Sequence, residues 1–533
     1  MGLFGWKVPI ERNIHPPRDI RAAWRRNIHD QESMSKPNFQ TASDLTPKPD
    51  PNWWHAHALR AYQKGLWGRA RWLGRIGQIV DPAHLPSAAI EGHGFFQTAQ
   101  AKPALAAFGR CLRLRPEHGG SWDMIAVLLH VQGDRAAAAA AAAGRFILTA
   151  PDDPAAGHKL FHMLRAELRD PEAEKWLRRA YLASRTARTA IETEAERDER
   201  AVSIGFDLGM LLLSKYRWDE AWRWYNLRLQ RATPKPDRTR YPQPFWTGAA
   251  DPSAHLLVWG DQNIGDEMQF AQILPELRPK VRRVTLECDA RLAPLFQRSF
   301  PWLDAVPRGE SPPQGPFDLQ CPSGHLGGLF RSDARSFATR PLGPWLRPDP
   351  DKVARLRERY LRASGGRPVI GVAWKSKNIN FQGKNLPLPA WGSVLKTDGA
   401  MFLSVQYGDV GADLADVETQ LGVRIPRDAD IDPMVDLDGF AAQLAALDLV
   451  ISTSNSTVHQ ACALGRPVWT MVHVRPDWRW GMRGERSPWF PSLRLYRQVE
   501  RDNWTPVVQR VAGDLRAWID ARPADRSGSP GSN

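Results

Sequence analysis

Residues 449–469 read LVISTSNSTVHQACALGRPVW. A short apolar run (LVIS) gives way to small polar residues from Ser452 to Thr457. A helical pattern follows until Gly465-Arg466-Pro467 stops it, and PVWTMV (467–472) starts a second apolar run. Strand, loop, helix and strand in so few residues form the unit of a parallel sheet, whose strands are covered on both faces and so read as continuous apolar runs. A helix that opens on small polar residues presents unsatisfied backbone N–H groups just past the end of a strand. With the hydroxyls of Ser456 and Thr457, they suit an anion such as a phosphate. His459 lies in the first turn on the same side and would donate to a phosphate oxygen; simple packing is the ordinary alternative for a histidine at a helix start.

The rhythm extends outward. LLVW (256–259), RVTLE (283–287), VIGVAW (369–374) and FLSV (402–405) alternate with helical patterns of 10–15 residues, the signature of α/β sheets. Two groups, about 255–345 and 368–500, are separated by a charged helical stretch from Asp349 to Ala363, which predicts two Rossmann-like domains facing a cleft. Ligands of such sheets bind beyond the strands' C-terminal ends, so three loops matter. In GDQNIGDEMQFAQILP (260–275) the glycines allow a tight turn, and Asp266 stands where a carboxylate either accepts a proton from an acceptor hydroxyl or caps the helix. WKSKNINFQGKNLPL (374–388) holds Lys375, Lys377 and Lys384 beside Gly383. A cation here would neutralise a departing phosphate, although loop lysines are commonly just solvated. Gln406 follows FLSV and either reads a base or ribose with its amide or satisfies a turn. The third loop is the helix start at Asn455 to His459.

Upstream the texture is helical. Ala70, Ala104, Ala139 and Ala173 are spaced 34, 35 and 34 residues, and Pro82, Pro116 and Pro151 follow the first three at a constant offset of 12. Ala104-x3-Phe108 and Ala221-x3-Tyr225 put a small residue and an aromatic on one helix face. These features resemble the tetratricopeptide repeat over about 53–186, with a further unit near 206–234. Because 48 residues separate Ala173 from Ala221, TARTAIETEAERDERA (186–201) reads as an insertion or a longer helix. Such an array is either a concave surface for a protein segment or a plain solenoid without ligand. TPKPDRTRYPQPFWTG (233–248) breaks the helical period with four prolines and marks a boundary.

A chain of 533 residues has room for about three to four domains. Its 42% apolar and 24% charged residues exclude general disorder. No run of 18 apolar residues and no signal-like start are present, so no membrane span or export is expected. Cys111, Cys288, Cys321 and Cys462 are far apart without a C-x-x-C pair, which argues against disulfides or a zinc site and fits a reducing cytoplasm. The excess of basic over acidic residues, 72 − 58 = 14, is dispersed, and residues 1–50 carry eight basic against six acidic side chains. Dispersed arginine suits an anionic ligand such as a nucleotide sugar. With no nucleic-acid motif in the chain, no nucleic-acid partner is expected.

The set GDQNIGDE, LECDARLAPLFQRSFP, KNLPL, LSVQYGD, DLDGFAAQLAALDLVIS, SNSTVHQACALGRPVW and DWRWGMRGERSPWFPSLRLYRQ resembles the GT-B glycosyltransferase half of bacterial tetratricopeptide-repeat proteins. These are similar to the heptosyltransferases and, more distantly, to the protein O-GlcNAc transferases. The resemblance covers about 255–500. It implies Asp266 as general base, through Gly265-Asp266, and donor phosphates at Asn455 to His459, with Lys384 and Gln406 also on the donor. Heptosyltransferases carry Asp-Thr before this helix where Ser454-Asn455 stands here. The lost carboxylate suits an anionic donor, and Ser454 as N-cap explains the change equally well.

The expected organisation is an α + α/β multidomain chain: a leader over 1–50, a repeat solenoid over 51–235, a linker over 236–254, a first Rossmann-like domain over 255–348, a connection over 349–367, a donor-binding domain over 368–520 and a tail over 521–533. The implied function is transfer of a sugar from a nucleotide-sugar donor to a protein Ser or Thr hydroxyl, plausibly on flagellin, with inversion and without metal or cofactor. The alternatives are a glycosyltransferase of cell-envelope saccharide and a non-catalytic scaffold. A chain beginning near Tyr241 is expected to fold and to bind nucleotide by itself.

Overall fold

The computed structural model of the protein describes residues 50–149, 153–186, 193–231, 240–338, 343–376 and 383–522. The leader up to residue 49, Pro151, Lys377 and the tail from 523 lie outside the described residues.

Eight helices form four consecutive pairs: α1 (Pro51–Gln63) with α2 (Trp67–Val80), α3 (Leu85–Gln97) with α4 (Ala101–Leu114), α5 (Gly119–Gln132) with α6 (Arg135–Thr149), and α7 (Pro154–Ala166) with α8 (Asp170–Thr186). Ala70, Ala104 and Ala173 lie in the first turn of the second helix of their pairs and are fully buried. A larger residue there would force the pair apart. Phe108, one turn after Ala104, presses on α3 where Gly92 stands; a Cβ on Gly92 would come within 2.9 Å of its ring. The repeat also shows in its caps. His84 and His118, N-caps of α3 and α5, each place Nδ1 2.8 Å from a serine hydroxyl three residues on, Ser87 and Ser121.

The next helix, α9 (Glu194–Ser214), is 21 residues long, so the ambiguous charged stretch is in part a longer helix. The chain divides into two compact units between Ile204 and Gly205, inside α9, whereas the sequence reading ends the repeat region at 235. α10 (Trp218–Tyr225) belongs with the sheets. Its Trp218, Trp222 and Tyr225, at helical spacing, enter an aromatic cluster with Phe270, Trp478 and Trp489. Trp222 Nε1 donates to the Arg331 carbonyl at 2.8 Å, and a Cβ on Gly327 would lie 2.4 Å from the Trp222 ring. The described part of the expected linker, from residue 240, is likewise packed: Tyr241 stacks on Trp259 with centroids 4.8 Å apart, and the Trp246 N–H donates to the Gln320 carbonyl at 2.8 Å.

The second unit holds two wholly parallel sheets, as expected. The first, in order β3-β2-β1-β4, comprises β1 (Asp251–Trp259), β2 (Val281–Cys288), β3 (Asp304–Pro307) and β4 (Leu319–Pro322). The second, in order β6-β5-β7-β8-β9, comprises β5 (Val369–Ala373), β6 (Met401–Ser404), β7 (Leu449–Thr453), β8 (Val468–Val472) and β9 (Leu493–Arg497). Three helices matter below: α11 (Ile264–Ala271) after β1, α12 (Pro350–Ser364) between the sheets, and α13 (Ser456–Ala463) after β7. Strand order reverses between β1 and β4 and between β5 and β7, and a crevice opens at the C-terminal ends of such pairs.

The first crevice is filled by the chain itself. Arg228, from the 3-10 turn Asn226–Gln230, donates from Nε to Asp261 Oδ2 at 2.7 Å, and both residues are buried. Asp261 also accepts from the Gly324 N–H at 3.0 Å and the Ser323 hydroxyl at 3.3 Å. Arg228→Ala would strand a buried carboxylate, so chemical denaturation of that variant should show a loss of about 3–5 kcal/mol. Arg228→Lys should lose less, since it keeps the charge but not the fork. An Arg228→Ala loss below about 1 kcal/mol, as for an exposed pair, would contradict the burial argument.

Among the described residues all four cysteines are unpaired and buried, and no helix is long and apolar enough to cross a membrane.

Candidate functional site

The second crevice, between β5 and β7, contains most of the residues singled out from the sequence. Gln406 is buried and held by backbone groups. It is 1% exposed; its Oε1 accepts the N–H groups of Trp374 and Lys375, both at 2.8 Å, and its Nε2 donates to the Tyr407 carbonyl at 3.1 Å. The amide braces the chain as it leaves β5, which is the turn-satisfying role. Lys375 is also engaged, with Nζ donating to Asp413 Oδ2 at 2.6 Å and to the Asp409 carbonyl at 3.0 Å.

Asn455 is the N-cap of α13 in extended conformation, and no side chain caps the first turn. Its Nδ2 donates to the Lys375 carbonyl at 3.3 Å and its Oδ1 accepts from the Ser452 hydroxyl at 3.2 Å, so the ends of β5 and β7 are tied together. Ser454 is not the cap: its hydroxyl accepts from Trp480 Nε1 at 2.8 Å. Ser456 is half-buried and Thr457 fully buried at the helix start. First-turn N–H groups at a helix start are the ones that suit an anion.

His459 is buried against Trp480 and Phe490, with centroids 5.3 Å away in each case. A Cβ on Gly265 would lie 3.3 Å from its Cδ2, so the two loops expected to share a cleft do meet here. Burial pushes the imidazole down to about 3. The ring is therefore neutral at physiological pH.

Asp266 is the third residue of α11, whose N-cap is Asn263. Its Oδ2 accepts the Asn263 N–H at 3.2 Å, so the carboxylate closes a capping box from within the helix. Its Oδ1 forms an ion pair with Arg479, and Asp266 is 5% exposed. Arg479 also donates from Nε to Gln269 Oε1 and from Nη1 to Asp477 Oδ1, both at 2.6 Å. Burial lowers Arg479 to about 10, still charged at neutral pH. Asp477 is raised to about 6 by burial, against the Arg479 N–H and the Lys384 charge. Lys384 is held below its usual value by burial, with Asp477 opposing. Charges thus alternate from Asp266 through Arg479 and Asp477 to Lys384. That row connects the carboxylate on the first sheet's helix with the lysine on the second sheet's loop.

Asp477 and Arg479 received no role from the sequence. They lie in DWRWGMRGERSPWF, where the tryptophans dominate the pattern. The usable signal was an Asp-x-Arg pair inside an aromatic run, since buried charges come paired.

No family model matches the chain. Protein FlbA of Caulobacter vibrioides (strain ATCC 19089 / CIP 103742 / CB 15) is 31% identical over 336 residues, which cover 60% of this chain and 56% of that protein. The match thus spans little more than half the length of that relative. Among solved structures, E. coli ADP-heptose lps heptosyltransferase II aligns at 14% identity over 50% of this chain and 98% of its own, with a TM-score of 0.35. YrrB, a TPR protein with an unusual peptide-binding site, aligns at 16% identity over 37% of this chain and 92% of its own, with a TM-score of 0.29.

Proposed function

We propose that the second unit is a metal-independent GT-B glycosyltransferase. It would move a sugar from a nucleotide-sugar donor to a Ser or Thr hydroxyl of a protein that the repeats recruit. The observation that carries the reading is the β5/β7 crevice, where an uncapped helix start at Asn455 to Thr457 stands at the strand ends and Asp266 is linked through Arg479 and Asp477 to Lys384. In the proposed reaction the α13 N–H groups, Ser456 and Lys384 hold the donor phosphates and stabilise the charge that develops as the sugar–phosphate bond breaks. Neutral His459 would add an N–H. Asp266 takes the acceptor hydroxyl proton as that oxygen attacks the anomeric carbon in line, with inversion. Flagellin in the cytoplasm is the acceptor that the family resemblance suggests.

The test is thermal unfolding of the full chain with uridine, cytidine, guanosine and adenosine diphosphates. One class should raise the midpoint in a concentration-dependent way, because a ligand of the folded state alone stabilises it by mass action. Lys384→Ala and the pair Ser456→Ala with Thr457→Val should each weaken that nucleotide by about 1–3 kcal/mol in calorimetry, the value of hydrogen bonds to a charged group. Unchanged affinity in both variants would remove the donor from α13. Failure of every nucleotide to bind, together with no donor hydrolysis, would overturn the enzyme reading in favour of a scaffold.

A further inference from the structure

We infer that Arg479 is the positioning residue for Asp266, gripping from the second α/β half the carboxylate that the first half carries. This rests on the glycosyltransferase reading for its consequence in turnover, but not for its geometry. Asp266 belongs to α11 of the first half, whereas Arg479 follows β8 of the second. The guanidinium is used on every edge: Nη2 meets Asp266, Nε meets Gln269 on the same helix, Nη1 meets Asp477 on its own loop, and its face lies 4.5 Å from the Trp478 ring centroid. A planar fork held in this way fixes the direction of the carboxylate it grips, which a lysine cannot do. The seam continues on both sides. His459 packs on Gly265, the Trp345 backbone N–H donates to the Ala463 carbonyl at 2.9 Å, and Arg298 makes a two-bonded pair with Asp438 at 2.5 and 2.9 Å.

The charged and titratable groups around Asp266 are few. Arg479 is in contact, with Asp477 and then Lys384 beyond it; Tyr225 interacts with Arg479 from the α10 side. His459 is neutral, and Glu267 is turned away to Arg308 at 2.6 Å. Removing Arg479 therefore removes the nearest positive charge. A carboxylate without its cation holds a proton more tightly, so it is protonated at higher pH as the solution is acidified.

The experiment compares Arg479→Gln, Arg479→Lys and Gln269→Leu in the full chain. Arg479→Gln should lower kcat roughly 100-fold, the scale of a misplaced general base, leave nucleotide affinity within about threefold, and move the acidic limb of the pH–rate profile to higher pH. Arg479→Lys should restore the limb but not kcat. Gln269→Leu, which removes one anchor of the fork without touching Asp266, should lower kcat by a smaller factor. Amide exchange gives a readout independent of activity: the Asn263 N–H, which donates to Asp266, should exchange faster in Arg479→Gln. A limb that stays in place with Asn263 protection unchanged overturns the inference. Wild-type protein that binds nucleotide but transfers nothing sinks the glycosyltransferase reading instead, and Asn263 exchange still decides the role of Arg479.

Discussion

Asp266→Asn should lower transfer by about 10²–10⁴-fold, the usual contribution of a general base, while nucleotide affinity stays within a few-fold. The substitution suits the site because an amide oxygen can still accept the Asn263 N–H that Asp266 now takes. Arg479 keeps Asp477 and Gln269 as partners, so the helix start and the buried guanidinium both remain supported. What disappears is the negative charge and the ability to take a proton. The loss should fall on kcat and kcat/KM together, the pattern of an interaction made in the transition state rather than in substrate binding. Alanine would be a poor test, since it removes the cap as well as the base. Near-normal turnover in Asp266→Asn would take this carboxylate out of the mechanism and leave it a structural partner of Arg479.

Much of the fold was legible because its signals are local. Parallel strands covered on both faces must be apolar throughout, and β1, β2, β5, β6, β7 and β8 appear where such runs occur. Ala70, Ala104 and Ala173, fully buried, report a close helix approach that tolerates nothing larger. Strands β3, β4 and β9 escaped because DAVP and LQCP are four residues each and LRLYR carries two arginines. α10 reads as a repeat helix from sequence because Trp218, Trp222 and Tyr225 form the stripe that such a helix buries, and its partners Phe270, Trp478 and Trp489 are fixed by tertiary packing that the stripe does not record. Asp266 and Asn455 stand out in the sequence because a strand end and a helix start lie within a few residues of each other there. The roles of Gln406 and Arg479 do not stand out in this way. A polar residue after a strand serves backbone and ligand equally well, and the partner of Arg479 on the first half is fixed by tertiary packing that no periodicity records.

The packing of α10 against Phe270, Trp478 and Trp489 changes the behaviour expected of a truncated chain. Protein beginning at Tyr241 lacks Trp218, Trp222, Tyr225 and Arg228, and so exposes Phe270, Trp478 and Trp489 and strands buried Asp261. Losing one buried tryptophan costs about 3–5 kcal/mol, and breaking a buried ion pair costs a similar amount. Together these losses reach the whole stability of a typical domain, about 5–15 kcal/mol. This protein should therefore aggregate, or melt without cooperativity and bind a hydrophobic dye. Protein beginning at Glu194 keeps α9, α10 and the Arg228–Asp261 pair intact. It should melt cooperatively and bind the same nucleotide as the full chain, because the sheets and the β5/β7 crevice are complete. It should still lose most transfer to a protein acceptor at low acceptor concentration, since docking on the repeats would hold the target hydroxyl at high effective concentration. A cooperative melt from the Tyr241 start would show that α10 is dispensable packing. Undiminished transfer from the Glu194 start would show that the repeats do not recruit the acceptor, and would favour a saccharide acceptor bound by the sheets alone.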